Sequence, residues 1–116
     1  MSMSSVASIS NPADLLDQLP VAVTVLDRAG IIKYYNEHAP QVVDRKPEYL
    51  GRDIREFHQP ASNAKMDRIF AAYAQGGREE YCWRLKRGDK EFMVRVRPWL
   101  VDGQWAGLVH TVMLLG

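Results

Sequence analysis

Apolar positions recur along this chain with two different periods, and each change of period marks an element. Asn11-Pro12-Ala13-Asp14 supplies an N-capping side chain, a proline at the first helical position and an acid in the first turn. Leu15, Leu16 and Leu19 continue at helical spacing, and Pro20 ends a helix of about two turns. From Val21 the period drops to two, with Val21, Val23 and Val25 facing one way and Ala22, Thr24 and Leu26 the other. With the turn Asp27-Arg28-Ala29-Gly30 and the run from Ile31 to Tyr35, residues 21–35 read as a β-hairpin. Asn36-Glu37-His38-Ala39 breaks the alternation and opens a short helical stretch to Val43. Residues 44–60 are punctuated by Pro47, Gly51 and Pro60, so short helical turns joined by loops are expected, anchored by Tyr49, Leu50, Ile54 and Phe57.

Pro60 to Gln75 is the clearest helix. Met66, Ile69, Phe70 and Tyr73 form one apolar stripe, and Gly76-Gly77 stops it. The remainder is β. Tyr81, Trp83 and Leu85 alternate with Glu80, Cys82, Arg84 and Lys86; Phe92, Val94 and Val96 alternate with Met93, Arg95 and Arg97. Arg87-Gly88-Asp89-Lys90 and Asp102-Gly103 are turn signals, and Trp105 to Leu115 is a last, mostly apolar strand. Strands joined by hairpins are antiparallel. The order predicts an α+β fold, a five-stranded antiparallel sheet covered on one face by short helices and one longer helix, with an N-terminal helix.

Composition narrows the function. The 116 residues fit one domain, residues 11–116, after a Ser-rich flexible tail, residues 1–10. Hydrophobic and charged fractions of 47% and 25% are ordinary for a globular protein and exclude disorder for most of the chain. A net charge of +1 gives no bulk reason to expect a nucleic-acid partner, and no apolar run reaches the ~20 residues of a membrane span. The single Cys82 cannot make an internal disulfide, and no Cys/His spacing resembles a zinc site. The start does not read as a signal peptide, which points to the cytoplasm.

Taken in order, several local patterns resemble the PAS domain family. The strand ending in Leu26-Asp27, followed by Gly30, is similar to the first PAS hairpin. Asn36-Glu37-His38-Ala39 matches the N-x-x-A signature after the second PAS strand. Tyr49-Leu50-Gly51-Arg52-Asp53-Ile54 resembles the segment of the middle helices, and Phe70 to Gly76 the end of the long connecting helix. The likeness spans residues 12–115. It departs at Gly88-Asp89, where the family usually shows Asp-Gly, which implies a different turn type within the same fold.

The resemblance implies a sensory domain with a small molecule or cofactor between the long helix and the sheet. The expected ligand-binding residues are Phe57 and His58 before the helix, Met66, Ile69 and Tyr73 on it, and Trp83, Val94 and His110 on the strands. His58, in Phe57-His58-Gln59-Pro60, reads in three ways: a helix cap, a pocket contact or a metal ligand. His110 sits mid-strand among apolar neighbours, and His38 in a polar turn. Tyr34, Phe57, Met66, Phe70, Tyr73 and Trp83 read as core, some of them lining the cavity. The cofactor is left open. Haem-binding members place the proximal histidine inside the long helix, and residues 61–75 hold none, so a haem would call on His58, with Met66 or Tyr73 able in principle to ligate iron. Otherwise no metal is expected. The flavin-adduct light sensors of the family need a cysteine in the middle helices, whereas Cys82 is on a strand.

Arg84, Arg95 and Arg97 alternate onto the outer sheet face, as a solvated stripe or a contact for an anionic partner. No catalytic constellation is suggested, so an enzyme is not expected. Leu15, Leu16 and Leu19, with Met93 and Trp99 on the outer face, form more apolar surface than a monomer leaves wet, which implies a homodimer. No output region is recognised, so the chain reads as a stand-alone domain or a piece of a longer signalling protein with a downstream partner. Three readings follow: a ligand sensor, a haem-based gas or redox sensor, and a dimerisation module without ligand.

Overall fold

A computed structural model of the protein describes residues 11–116, and the expected tail of residues 1–10 lies outside the described residues. Helix α1 spans Pro12–Leu16, shorter than its apolar spacing suggested, with Asn11 Oδ1 accepting from the Ala13 amide as its cap. Strands β1 (Ala22–Asp27) and β2 (Ile32–Tyr35) form the expected hairpin. Its turn is organised by Asp27, whose Oδ1 accepts from the amides of Ala29 and Ile31. The helical stretch expected through Val43 shrinks to one 3₁₀ turn, Ala39–Gln41, and the next segment contributes two more, Pro47–Tyr49 and Ile54–Phe57. Helix α2 is Pro60–Ala74, and strands β3 (Tyr81–Arg87), β4 (Lys90–Val101) and β5 (Gln104–Leu114) complete the chain.

The sheet has the order β2-β1-β5-β4-β3, with every neighbouring pair antiparallel. The β1–β2 hairpin and the β3–β4–β5 meander are thus joined through β1 and β5, and α2 belongs to the long connection between β2 and β3. The hairpin turns differ in a way the sequence states. Gly88 has φ +61 while Asp89 does not go positive, the pattern of a turn with glycine at its first central position. Asp102 and Gly103 are both positive, the pattern of a type I′ turn. Pro98 is tolerated inside β4 because β3 pairs with β4 only as far as Val96, leaving the proline beyond its reach.

Register puts Ala22, Thr24, Leu26, Trp83, Val94, Val96, Leu108, His110 and Val112 on one face of the sheet. The stripe Met66, Ile69, Phe70 and Tyr73 of α2 is buried, as its spacing requires. The buried side chains fall into two clusters. The larger joins the α2 stripe to Leu26, Ile32, Ile54, Val96 and Leu108. The smaller holds Ala22, Ala39, Val94 and Val112. Tyr34 departs from the expected core set: it pairs opposite Val25 on the other face, near Asp14 and Asp17. The outer-face arginines are partly neutralised, with Arg84 on Glu91 at 2.7 Å and Arg95 on Glu80 at 3.7 Å. No helix among the described residues is long and apolar enough to cross a membrane.

Candidate functional site

The two core clusters leave space beside them. A cavity of about 580 Å³ is bordered by Met66 of the larger cluster and by Val94 and Val112 of the smaller. That volume lies in the range of sites that hold small molecules. The loop before the Pro47 turn, the residues before α2, the first two turns of α2, and strands β3 to β5 all contribute to its wall.

Of the residues expected at a ligand site, Phe57, His58, Met66, Trp83, Val94 and His110 line this cavity. Ile69 and Tyr73 do not. Helix geometry explains the difference: both lie further along α2, toward its C-terminal end, where the core is filled. Ile69 instead borders a shallower groove with Tyr81 and Cys82. Tyr73 is spent on structure, its hydroxyl donating to the Glu79 carbonyl at 2.7 Å, and burial pushes its pKa up to about 12. Trp83 is half-buried and not a closed core residue; Lys65 Nζ sits 4.2 Å from the centre of its ring. Phe57 is fixed by stacking on Tyr49, with ring centroids 3.7 Å apart.

His58 follows the Ile54–Phe57 turn, and its ring is turned into the fold. It does not cap α2: the cap position is Gln59, which makes no side-chain bond there. His110 is carried by β5, opposite Val96 on β4 and Thr24 on β1, and is 8% exposed. His38 is half-buried at the head of the Ala39 turn, away from the cavity wall. In both His58 and His110 the Nδ1 atom is buried without a hydrogen-bond partner. Burial, reinforced by the nearby Arg45 charge, holds His58 down to about 4 and His110 down to about 3. Both imidazoles are neutral at pH 7.

Arg45 was not legible as a site residue. It is 6% exposed and lines the cavity. Its Nε donates to Thr24 Oγ1 at 3.1 Å and its Nη1 to the Asp44 carbonyl at 2.8 Å. Burial lowers its pKa to about 10, so it remains a cation. Among the described residues it forms no ion pair. Thr24, the polar member of an otherwise apolar face of β1, was a faint sequence signal for this contact; Arg45, in an irregular loop, left none. Lys65 and Arg87 add positive charge to the wall, and Asp44 is its carboxylate. Among the described residues no group of three metal-ligating side chains is assembled. A haem, were it bound here, would have to be held by His58, His110 or Met66, the side chains of the cavity wall able to ligate iron.

The comparisons with known proteins agree with this architecture. Among solved structures, a C-terminal domain from Streptococcus mutans superposes with a TM-score of 0.78 at 23% identity, over 94% of this chain and 86% of that one. A sensory box sensor histidine kinase from Vibrio cholerae gives 0.65 at 20% identity, over 90% of each chain. The RpfR quorum-sensing receptor PAS domain from Cronobacter turicensis, in complex with C12:0, gives 0.62 at 17% identity, over 85% of this chain and 97% of that one. These likenesses establish the fold. No curated protein matches the sequence. A family model described as PAS domain matches residues 13–113, nearly the whole of the described chain, and the chain therefore belongs to the PAS domain family.

Proposed function

We propose that this PAS domain senses a small molecule held in the cavity between α2 and the sheet. Occupancy is relayed through homodimer contacts to a downstream signalling protein. The observation that carries the reading is the cavity of about 580 Å³ with Arg45 and His110 in its wall. Buried polar groups are normally satisfied. A cavity wall that leaves a cation unpaired and imidazole nitrogens unbonded is suited to a bound molecule that supplies the partners. The RpfR PAS domain is in complex with C12:0, so this fold accommodates a ligand in at least one relative. The reading is of binding, not turnover.

The relay follows from differential binding. A ligand that fits one arrangement of the loops around Arg45 and His58 better than another shifts the balance between them. The surface that would read the shift is apolar: Leu15 is 52% and Leu19 39% exposed, with Leu16, Met93 and Trp99 half-buried. Its occupant in this proposal is a second copy of the chain, and light scattering at high micromolar concentration should report a dimer. A monomer there would remove the relay while leaving the pocket.

Native mass spectrometry of the purified protein, with an absorption spectrum of the same sample, tests the function. An added mass released by collisional activation supports a ligand sensor. A Soret band replaces that reading with a haem-based sensor using His58 or His110. A bare mass, with no compound bound on addition, leaves a dimerisation module.

A further inference from the structure

Resting on the reading of the cavity as a ligand site, we propose that its ligand is an organic acid whose single carboxylate pairs with Arg45. Guanidinium groups are rarely buried unless paired, because a cation removed from water needs an anion or a full set of acceptors. Arg45 has neither. Its hydrogen bonds engage Nε and Nη1, and the acceptors are an uncharged hydroxyl and a backbone carbonyl. No carboxylate pairs with it among the described residues. Asp44, its neighbour in sequence, is exposed, and its carboxylate takes the Tyr49 hydroxyl at 3.3 Å.

The rest of the wall selects the same ligand. Lys65 and Arg87 bring further positive charge, and neither forms an ion pair among the described residues. His110 is more than nine-tenths buried with an unbonded Nδ1, and His58 presents the same atom unbonded. A neutral imidazole can donate one hydrogen bond, so both rings can serve a carboxylate that Arg45 neutralises. Met66, Val94, Val112 and Trp83 supply an apolar stretch of wall for the remainder of the molecule. A neutral ligand would leave the guanidinium without an anion in contact, and a cation would be repelled by it. One buried positive charge calls for one negative charge, and the planar fork of arginine suits a planar carboxylate.

The test uses matched pairs on the intact chain: octanoate with octanamide, and phenylacetate with phenylacetamide, each titrated by calorimetry and thermal shift. The acid of a pair should bind about 10–100-fold more tightly than its amide, the range of a charge-assisted bond over a neutral one. Arg45→Met should reduce that ratio to near one. Arg45→Lys, which keeps the charge but not the fork, should retain a preference for the acid and guards against a Met variant that fails to fold. Octyl phosphate, which carries more charge on a tetrahedral head, should bind less tightly than octanoate. Acid and amide binding equally, with the same affinity in Arg45→Met, overturns the carboxylate and leaves the cavity a ligand site. Tighter binding of octyl phosphate than of octanoate also overturns it, in favour of a phosphate. No binding by any member, together with a bare mass in native spectra, overturns the site itself.

Discussion

Arg45 Nε donates to Thr24 Oγ1 across 3.1 Å, tying the irregular loop before the Pro47 turn to the middle of β1. The bond links the cavity wall to the central strand pair, since Thr24 lies opposite His110 in the β1–β5 register. Removing the hydroxyl strands a buried charged donor. Thr24→Val should therefore cost about 1–3 kcal/mol in urea unfolding, despite its near-identical shape. An unchanged midpoint would mean that Arg45 is solvated, not buried.

Asn36 ties the hairpin to α1. Its Oδ1 accepts from the amides of Val23 and Ala39, and its Nδ2 donates to the carbonyls of Leu16 and Val21. Asn36→Ala leaves the Val23 amide and the Leu16 and Val21 carbonyls without this partner in a site with no exposed surface, while the Ala39 amide keeps the Asn36 backbone carbonyl at 3.1 Å. A loss of about 3 kcal/mol is expected, from roughly 1 kcal/mol per bond. Denaturant titration checks it, and a loss below about 1 kcal/mol would contradict the network.

At Gly107, opposite Asp27, β5 runs against β1 with no room for a side chain. A Cβ there would lie 1.9 Å from the Leu26 carbonyl oxygen and 2.8 Å from the Asp27 Cα. These are backbone atoms, so relief requires the central strands to separate. Gly107→Ala should destabilise by more than about 3 kcal/mol, beyond the ordinary range for a single substitution. Circular dichroism melting near that of the parent would show that the strands do not approach as described.

Trp83 reads from alternation as a closed core residue, for which truncation to alanine would cost about 3–5 kcal/mol. Its half-exposed position on the cavity wall reduces that expectation to about 2 kcal/mol. The companion Lys65→Ala should cost less than about 1 kcal/mol, the scale of an exposed cation–π contact. Equilibrium unfolding of both variants separates the two contributions.

Acid should destabilise the fold through its histidines. In the native state His58 titrates at about 4 and His110 at about 3, against 6.5 for an unperturbed imidazole. The unfolded chain binds more protons between those values, so stability falls as pH drops below about 6.5 and the loss is complete near 3. The charges acting on these rings are Arg45 on both, Arg87 on His58 and, as it protonates, His58 on His110. Urea midpoints measured from about pH 7.5 down to about 4.5 should decline less steeply in His110→Leu than in the parent. Parallel declines would place His110 in solvent.

The sequence carried the fold because its signals were local and repeated. Alternation in Val94 and Val96, the stripe from Met66 to Tyr73 and the Gly88 and Asp102-Gly103 turns each specify one element, and the elements leave few ways to pack. The site was less legible. His58 and His110 could be named, since a histidine among apolar neighbours is visible in a chain. Whether Ile69 and Tyr73 face a filled core or a space depends on where the Pro47–Tyr49 and Ile54–Phe57 turns settle against their cluster, and no periodicity encodes that. Arg45 shows the limit most plainly: its burial is created by distant residues, Thr24 and His110 among them.

The most direct test of a ligand-filled cavity is the methionine methyl spectrum of ¹³C-methyl-labelled protein during titration with the paired acids. Met66 lines the cavity, whereas Met93 and Met113 lie opposite each other on the other face of the sheet. Binding as described moves the Met66 resonance most, with any shift of Met93 and Met113, on the face that reads the change, smaller than that of Met66. Displacement of Met93 and Met113 with Met66 unmoved, or no displacement at millimolar acid, would contradict a ligand site between α2 and the sheet.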